Sequence, residues 1–332
     1  MKGQVYKIYS DSYYVKSEDN IYVCKIREII KKQKKNIVAG DYVEFEQDVI
    51  NNILPRNSFI RRPAVANVDQ IVVVSALKQP ELDFHQLNRY VSLAKYYDIP
   101  VILCFNKEDL GLESSLQEKI EKIYKPLGYR VIFTSASEKL GIRDLCRLLE
   151  GKLSALCGNS GVGKSSLINA INPNIRLKTG EVSEKLRRGT HTTRHCEIID
   201  INSSVRVIDT PGFSNVKFDF ILPRDVDKLF DEIHVFKSKC KYADCLHINE
   251  SGCEVLKNME LIDQTRYESY TEFLKEAYDY KEKVKYNGVK TESHHKLHNN
   301  KSVVKISEKK RQASRNTKKQ ILYKEIEEND NE

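Results

Sequence analysis

The sequence predicts a multi-domain protein with a small N-terminal β-barrel, a central α/β domain and a C-terminal, mainly helical region. Three observations carry this reading. Residues 1–62 place β-branched and aromatic side chains at near period two. Residues 63–221 alternate unbroken apolar runs with helical spacing over short connections. From 222 onward, helical periodicity surrounds a tight group of cysteines and a histidine. A chain of 332 residues has room for two or three such parts.

The elements follow in order. "GQVYKIY", "YYVKS", "NIYVCKI" and "DYVEFE" read as short strands, broken by "SEDN", a lysine-rich loop and "AGD". Short strands with polar turns suggest a small barrel such as an OB-fold. "VDQIVVVSAL" is a continuous apolar run, as expected of a strand buried on both faces. "DFHQLNRYVSLAKYYD" has helical spacing, followed by a second buried strand, "IPVILCFN", and a helix at roughly 113–126. The strand "YRVIFTSA", the helix "IRDLCRLLE" and the strand "KLSALCG" continue the alternation, and "GKSSLINAI" opens the next helix. Near the C-terminus "TRYESYTEFLKEAYDYKEKVKY" reads as an aromatic-bearing amphipathic helix. Beyond about 288 the chain turns polar and is expected to be disordered when free.

Composition narrows the function classes. Lys plus Arg number 55 against 47 Asp plus Glu, a net charge of +8. The excess is clustered at Lys31-Lys32-Gln33-Lys34-Lys35, Arg61-Arg62, Arg187-Arg188 and along 296–319. Any one patch reads as solvated surface; several together point to a polyanionic partner. No run reaches the ~18–20 apolar residues of a membrane helix, and "MKGQVYKIYSDSYYV" lacks a signal-peptide core. A cytoplasmic protein is expected. Cys24, Cys104, Cys146, Cys157 and Cys196 are scattered and read as core residues of a reducing compartment.

The chemistry sits at predicted strand ends. Gly158-Asn159-Ser160-Gly161-Val162-Gly163-Lys164-Ser165, followed by Ser166, fits the phosphate-binding pattern G-x-x-x-x-G-K-[ST]. Its glycines let backbone N–H groups turn toward phosphate, Lys164 reaches the β- and γ-oxygens, and Ser165 is a Mg²⁺ ligand. A strand precedes and a helix follows, so the helix dipole favours the anion. Downstream, "VRVIDTPGF" ends a strand at Asp209, placed to hold Mg²⁺ through water, and Gly212 can offer its N–H to the γ-phosphate. Between them lies Gly189-Thr190-His191-Thr192-Thr193, where a threonine would complete the metal shell, Thr193 first and Thr192 second.

Asn106-Lys107-Glu108-Asp109 follows a buried strand and fits the guanine reader N-K-x-D. Asp109 can accept from guanine N1–H and N2–H₂. Adenine would leave that carboxylate unpaired, a mismatch able to discriminate by ~10⁴. Thr134-Ser135-Ala136, after the next strand, can offer a backbone N–H to guanine O6. The usual order puts the phosphate loop first. Here the base reader comes first and nothing is missing, so a circularly permuted P-loop GTPase domain is predicted. The new break follows the Asp209–Gly212 segment, which runs almost directly into the cysteine-bearing region.

With these motifs in place the chain resembles the RsgA family, the circularly permuted, ribosome small-subunit-dependent GTPases of bacteria. The resemblance extends to about residue 280 and includes "AGDYVEF", "LPRNSFIRRP", the permuted motifs, "SEKLRRGTHTTRH" and the cysteine cluster. It implies an OB-fold at 1–62, a GTPase domain at 63–221, a zinc domain at 222–288 and a basic tail at 289–332. It also implies a GTP hydrolase that binds the small (30S) ribosomal subunit and its rRNA late in maturation and is stimulated there; a monomer is expected. Arg194 stands where the family often has a third threonine, and the tail is not among the shared motifs.

Cys240-x₄-Cys245-x-His247-x₅-Cys253 offers three thiolates and an imidazole, enough for one closed tetrahedral Zn²⁺. The plain alternative is three core cysteines and a surface histidine; the resemblance favours zinc. Many GTPases orient the attacking water with a glutamine just after D-x-x-G, where this chain has Phe213. His191 is the best substitute and the resemblance favours that role, although His191 could also cap its loop. A reading from another class is an RNA-binding protein that senses nucleotide, acts on another RNA and hydrolyses little.

Overall fold

The computed structural model describes residues 1–28, 30, 36–175, 196–209, 217–287, 295–298 and 301–304. The chain divides into two compact units. The first holds Met1–Val216 with the short segments Leu229–Glu232 and Glu260–Ser269; the second holds Lys217–Lys228, Ile233–Met259 and the chain from Tyr270 onward.

The barrel is built from β1 (Lys2–Tyr9), β2 (Ser12–Ser17), β3 (Asn20–Ile26), β4 (Tyr42–Glu46) and β5 (Val49–Ile53). The strands run β1-β2-β3-β5-β4, and β4 returns to pair with β1, closing the sheet as an OB-type barrel. β1 can serve two neighbours because its register shifts between Val5 and Lys7, which bends it round the corner. The alternating pattern points Val5, Val15, Cys24, Val43, Phe45 and Ile50 inward, with Ile30 and Ile37 packed on them. Strand β5 has no counterpart in the sequence reading: "VINNI" is short and carries two asparagines.

A hairpin of β6 (Phe59–Arg61) and β7 (Ala64–Ala66) leads into the α/β domain. There β8 (Gln70–Ala76), α1 (Phe84–Tyr96), β9 (Val101–Asn106), α2 (Ser114–Tyr124), β10 (Arg130–Phe133), α3 (Ile142–Leu149), β11 (Leu153–Cys157) and α4 (Lys164–Ile171) follow one another. β12 (Glu197–Asp200) and β13 (Arg206–Asp209) complete it. Strands β10-β9-β8-β11-β13 are parallel, and β12 lies antiparallel beside β13. β8 is central and buried along nearly its whole length, which explains its unbroken apolar run. Val72, Val74 and Cys104 pack under Ile142, Leu145 and Leu149 of α3 and Leu167 and Ile168 of α4.

The two sheets are continuous. Lys7 of β1 pairs with Glu197 of β12, so barrel and α/β domain share one eleven-stranded sheet. Polar contacts line the seam: the Tyr6 hydroxyl donates to Asp200 at 3.0 Å, Lys16 meets the same carboxylate at 2.6 Å, and Arg206 donates to Gln4 at 2.8 Å.

A buried polar cluster holds the segments 229–232 and 260–269 within the first unit. Arg266, 1% exposed, forms two bonds to the Glu232 carboxylate, at 2.6 and 3.3 Å, and lies 4.5 Å from the Phe230 ring centroid. It also donates to Oδ1 of Asn88 on α1, which accepts from the Tyr124 hydroxyl as well. The Asn88 amide nitrogen donates to Thr265 O and Ser269 Oγ.

Two helices run from one unit into the other: α5 (Asp231–Lys237) and the long α7 (Gln264–Asn287) each begin in a segment of the first unit and continue in the second, which also holds α6 (Glu254–Lys257). The Phe218 ring packs tilted against Phe273, with centroids 4.4 Å apart, and the Phe218 N–H donates to Glu276. Within the tail, β14 (His295–His298) and β15 (Lys301–Val304) pair antiparallel.

Removing one partner of the Arg266–Glu232 pair strands a buried charge. Glu232→Ala should lower the stability of the first unit by about 3–5 kcal/mol. Glu232→Leu combined with Arg266→Met should recover most of that loss. Urea midpoints followed by tyrosine fluorescence check both.

Candidate functional site

The C-terminal ends of β9, β10, β11 and β13 lie along one edge of the parallel sheet, where open α/β folds bind ligands. Each end carries one of the predicted motifs.

Strand β9 ends at Asn106, whose side chain is buried. Its Nδ2 donates to Val162 O of the glycine-rich loop at 2.9 Å. Its Oδ1 accepts from the Ala136 N–H at 3.2 Å and from Thr134 Oγ1 at 3.3 Å. Asn106 is thus placed as a strut between three loops. Lys107 takes a left-handed conformation, φ 65°, and its ammonium donates to the Gln79 carbonyl. Glu108 and Asp109 form a short 3₁₀ turn, and the Glu108 N–H donates to Thr134 O. Ser135 Oγ donates to the Asp109 carboxylate at 2.5 Å. That bond, with further help from Ser137 and Lys107, holds the Asp109 carboxyl below its ordinary value, so it stays an acceptor at neutral pH. The Ser135 N–H goes to Leu140 O.

The loop Gly158–Gly163 joins β11 to α4. A Cβ on Gly158 would lie 2.1 Å from Val74 O, and one on Gly163 would lie 2.2 Å from Asn106 Nδ2. Both positions also hold positive φ, so only glycine fits there. Val162 is buried, while Ser160 and Gly161 are exposed. The Tyr90 hydroxyl donates to Asn159 Oδ1 at 3.1 Å. Lys164 Nζ curls over the loop onto Gly158 O and Asn159 O, at 2.7 and 2.9 Å, and Ser165 and Ser166 stand half-buried in the first turn of α4. The backbone of Asp209 lies opposite Leu156, beside the start of the loop.

His191, Thr192, Thr193, Arg187, Arg188 and Gly212 lie outside the described residues, as do Lys31, Lys32, Lys34 and Lys35. In "LPRNSFIRRP", the stretch that holds the basic pair Arg61-Arg62, Arg56 is committed to an internal partner. It forms a two-pronged pair with Asp41, at 2.7 and 3.0 Å, and stacks on Phe59. Sequence reading passed over Tyr90 and Gln79. Tyr90 sits on the apolar stripe of α1, where a tyrosine looks like any core aromatic.

In the second unit, Cys240, Cys245, His247 and Cys253 bring their ligand atoms within 4.8 Å of one another. His247 Nδ1 stands 3.6 Å from Cys240 Sγ and 3.4 Å from Cys253 Sγ. A tetrahedral ion with metal–sulfur bonds of ~2.3 Å and metal–nitrogen bonds of ~2.0 Å needs N···S edges of about 3.5 Å. These two edges match that value, and the four side chains could together hold a metal ion. The loop is shaped by Glu250, whose carboxylate accepts from the N–H groups of Leu246, Ile248 and Asn249. Burial works against that charge, but these bonds outweigh it and hold the carboxyl below its ordinary value.

A family model described as RsgA GTPase matches residues 53–219, and one described as RsgA N-terminal domain matches 2–52. A third, described as 50S ribosome-binding GTPase, matches 154–285. The small ribosomal subunit biogenesis GTPase RsgA of Alkaliphilus metalliredigens is 39% identical over 285 residues, covering 83% of this chain and 97% of that protein. Its namesake from Moorella thermoacetica is 40% identical over 284 residues, with the same coverage. Among solved structures, YjeQ from Thermotoga maritima superposes with a TM-score of 0.70 at 34% identity, covering 83% of this chain and 98% of that one. YloQ, a circularly permuted GTPase, gives 0.68 at 33%, covering 84% and 95%.

Gly158→Ala would drive a methyl into the backbone carbonyl of Val74, which cannot swing aside. It should abolish nucleotide binding measured with a fluorescent GDP analogue, while circular dichroism stays near that of the unaltered protein.

Proposed function

The chain belongs to the RsgA family and is a GTP hydrolase of ribosome biogenesis, and on that premise we propose that it binds the small ribosomal subunit and its rRNA late in maturation and hydrolyses GTP there. The observation that carries the proposal is the meeting of Asn106, Asp109, Ser135 and Ala136 with the loop Gly158–Lys164 at one sheet edge.

In this reading Asp109 accepts from guanine N1–H and N2–H₂. Ser135 contributes through its hydroxyl, and the Ala136 N–H, whose bond to Asn106 is long, serves guanine O6. Lys107 and Glu108 flank the base. The N–H groups of 158–163 cradle the phosphates, aided by Lys164 and Ser166, and Gly212 meets the γ-phosphate. Ser165, Thr193 and Asp209 hold Mg²⁺. His191 positions the attacking water, since Phe213 cannot. The subunit would fix the segment carrying His191 by docking Arg187 and Arg188 on RNA phosphate, which is how binding would stimulate turnover. The metal of the cysteine–histidine group is Zn²⁺, because three thiolates and one imidazole in a closed tetrahedron suit it, and its role is structural. The parts are the barrel at 1–62, the GTPase domain at 63–221, the zinc domain at 222–288 and the tail at 289–332. The protein works as a cytoplasmic monomer, where small subunits mature. Among the described residues no helix is long and apolar enough to cross a membrane.

Sedimentation with purified small subunits tests the partner: the chain should co-pellet in the presence of a non-hydrolysable GTP analogue. His191→Ala should still co-pellet and bind GTP but lose the subunit-stimulated rate, leaving the slow intrinsic rate nearly unchanged. Full stimulated turnover in that variant would exclude His191 as the water-positioning group.

Elemental analysis of protein purified without added metal should give close to one zinc per chain. Cys245→Ser should lower that content and destabilise the second unit while nucleotide affinity stays close to normal. Full zinc content in that variant would mean other ligands.

A further inference from the structure

The glycine-rich loop gains little rigidity from its own side chains. Glycine occupies 158, 161 and 163, and Ser160 is exposed. Two side-chain bonds from outside pin it. One is Asn106 to Val162 O at 2.9 Å, made by the base-reading strand. The other is Tyr90 to Asn159 Oδ1 at 3.1 Å, made by α1, and none of the sequence motifs accounts for it.

Tyr90 is suited to hold something still. It is 2% exposed, and burial pushes its phenol far above the ordinary value, so the hydroxyl remains a proton donor. Gln86, one turn earlier on α1, also bonds the phenol, and Tyr90 and Asn159 together line a small cleft beside Val162. The helix that carries Tyr90 is itself fixed. Two residues away, Asn88 is fully buried and bonded to Tyr124, Arg266, Thr265 and Ser269. On the receiving side, Asn159 is not a passive contact. Its own carbonyl accepts from Lys164, so fixing this residue fixes one of the two rests of the phosphate-reaching lysine.

We infer that Tyr90 is a positioning residue for the phosphate loop, acting through the Asn159 side chain to hold Asn159 and Lys164 in the shape that grips the nucleotide phosphates. Without the phenolic hydroxyl the loop keeps its Asn106 pin but is free on the side of α1. Its N–H groups then have to be ordered when nucleotide binds, which weakens affinity and speeds release. Base selection, made by Asp109 on another strand, is untouched. The inference rests on the nucleotide-binding reading of the loop.

The test is a double-mutant cycle read with fluorescent GDP and GTP analogues on the full chain. Tyr90→Phe keeps the ring in the core and removes only the hydroxyl. It should weaken nucleotide binding about three- to tenfold, the size of one hydrogen bond, through a faster off-rate, with the preference for GTP over ATP unchanged. Asn159→Ala should weaken binding at least as much. The double variant should be no weaker than Asn159→Ala alone, because both changes break the same bond. Tyr90→Phe binding as tightly as the unaltered chain would overturn the inference. So would losses that multiply in the double variant, or a fall in GTP-over-ATP preference, which would mark a general loosening of the core. If the unaltered chain itself fails to bind guanine nucleotide, the functional reading falls instead.

Discussion

One buried amide joins the parts of the proposed nucleotide site. Asn106 donates to Val162 O and accepts from Thr134 and Ala136, so a single side chain ties the base strand, the following loop and the phosphate loop. Its nitrogen occupies the space that a Cβ on Gly163 would need. Glycine at 163 is therefore demanded twice, by backbone conformation and by this neighbour. In a buried setting such an amide is costly to leave half-satisfied, which makes the arrangement close to all-or-none.

That junction also explains why the order of motifs along the chain is free to change. Asn106 reaches Val162 through the hydrogen-bonded ladders β9–β8–β11, not through the connecting chain. Parallel strands need crossovers, but the sheet does not record which crossover was cut. The rejoined link is short: α3 ends at Leu149 and β11 begins at Leu153. Gly151, at φ 73°, makes the turn, and its N–H is taken up by Ser204 O.

The barrel is not simply appended to this sheet. Its first strand pairs with β12, and Arg206 at the start of β13 reaches back to Gln4. The exposed ion pairs along the seam contribute little singly, about 0–1 kcal/mol each. The connection is carried instead by backbone pairing, by the half-buried Tyr6–Asp200 bond and by the Arg206–Gln4 bond. Helix α1 meets the loop through Tyr90 and the segment 265–269 through Asn88. A helix that sequence periodicity marks only as core is thereby the shared support of the phosphate loop and the Arg266–Glu232 pair.

The sequence by itself determined the barrel, the parallel α/β domain and its permuted motifs, because each leaves a local trace. Period two in "NIYVCKI", an unbroken apolar run in "IVVVSAL" and fixed spacings in "GNSGVGKS" and "NKED" are properties of neighbouring residues. The spacing of Cys240, Cys245, His247 and Cys253 was legible in the same way. Tertiary structure decided what depends on residues far apart in the chain. The pairing of β1 with β12 joins positions 7 and 197, and the Asn88–Arg266 contact joins positions 178 apart. Arg56 in "LPRNSFIRRP" looks like one more surface cation, yet folding spends it on Asp41. Tyr90 reads as a core aromatic, yet its hydroxyl meets Asn159. A side chain's type and period fix which face it takes; which partner waits there is set by the packing of distant segments, and no local pattern encodes that.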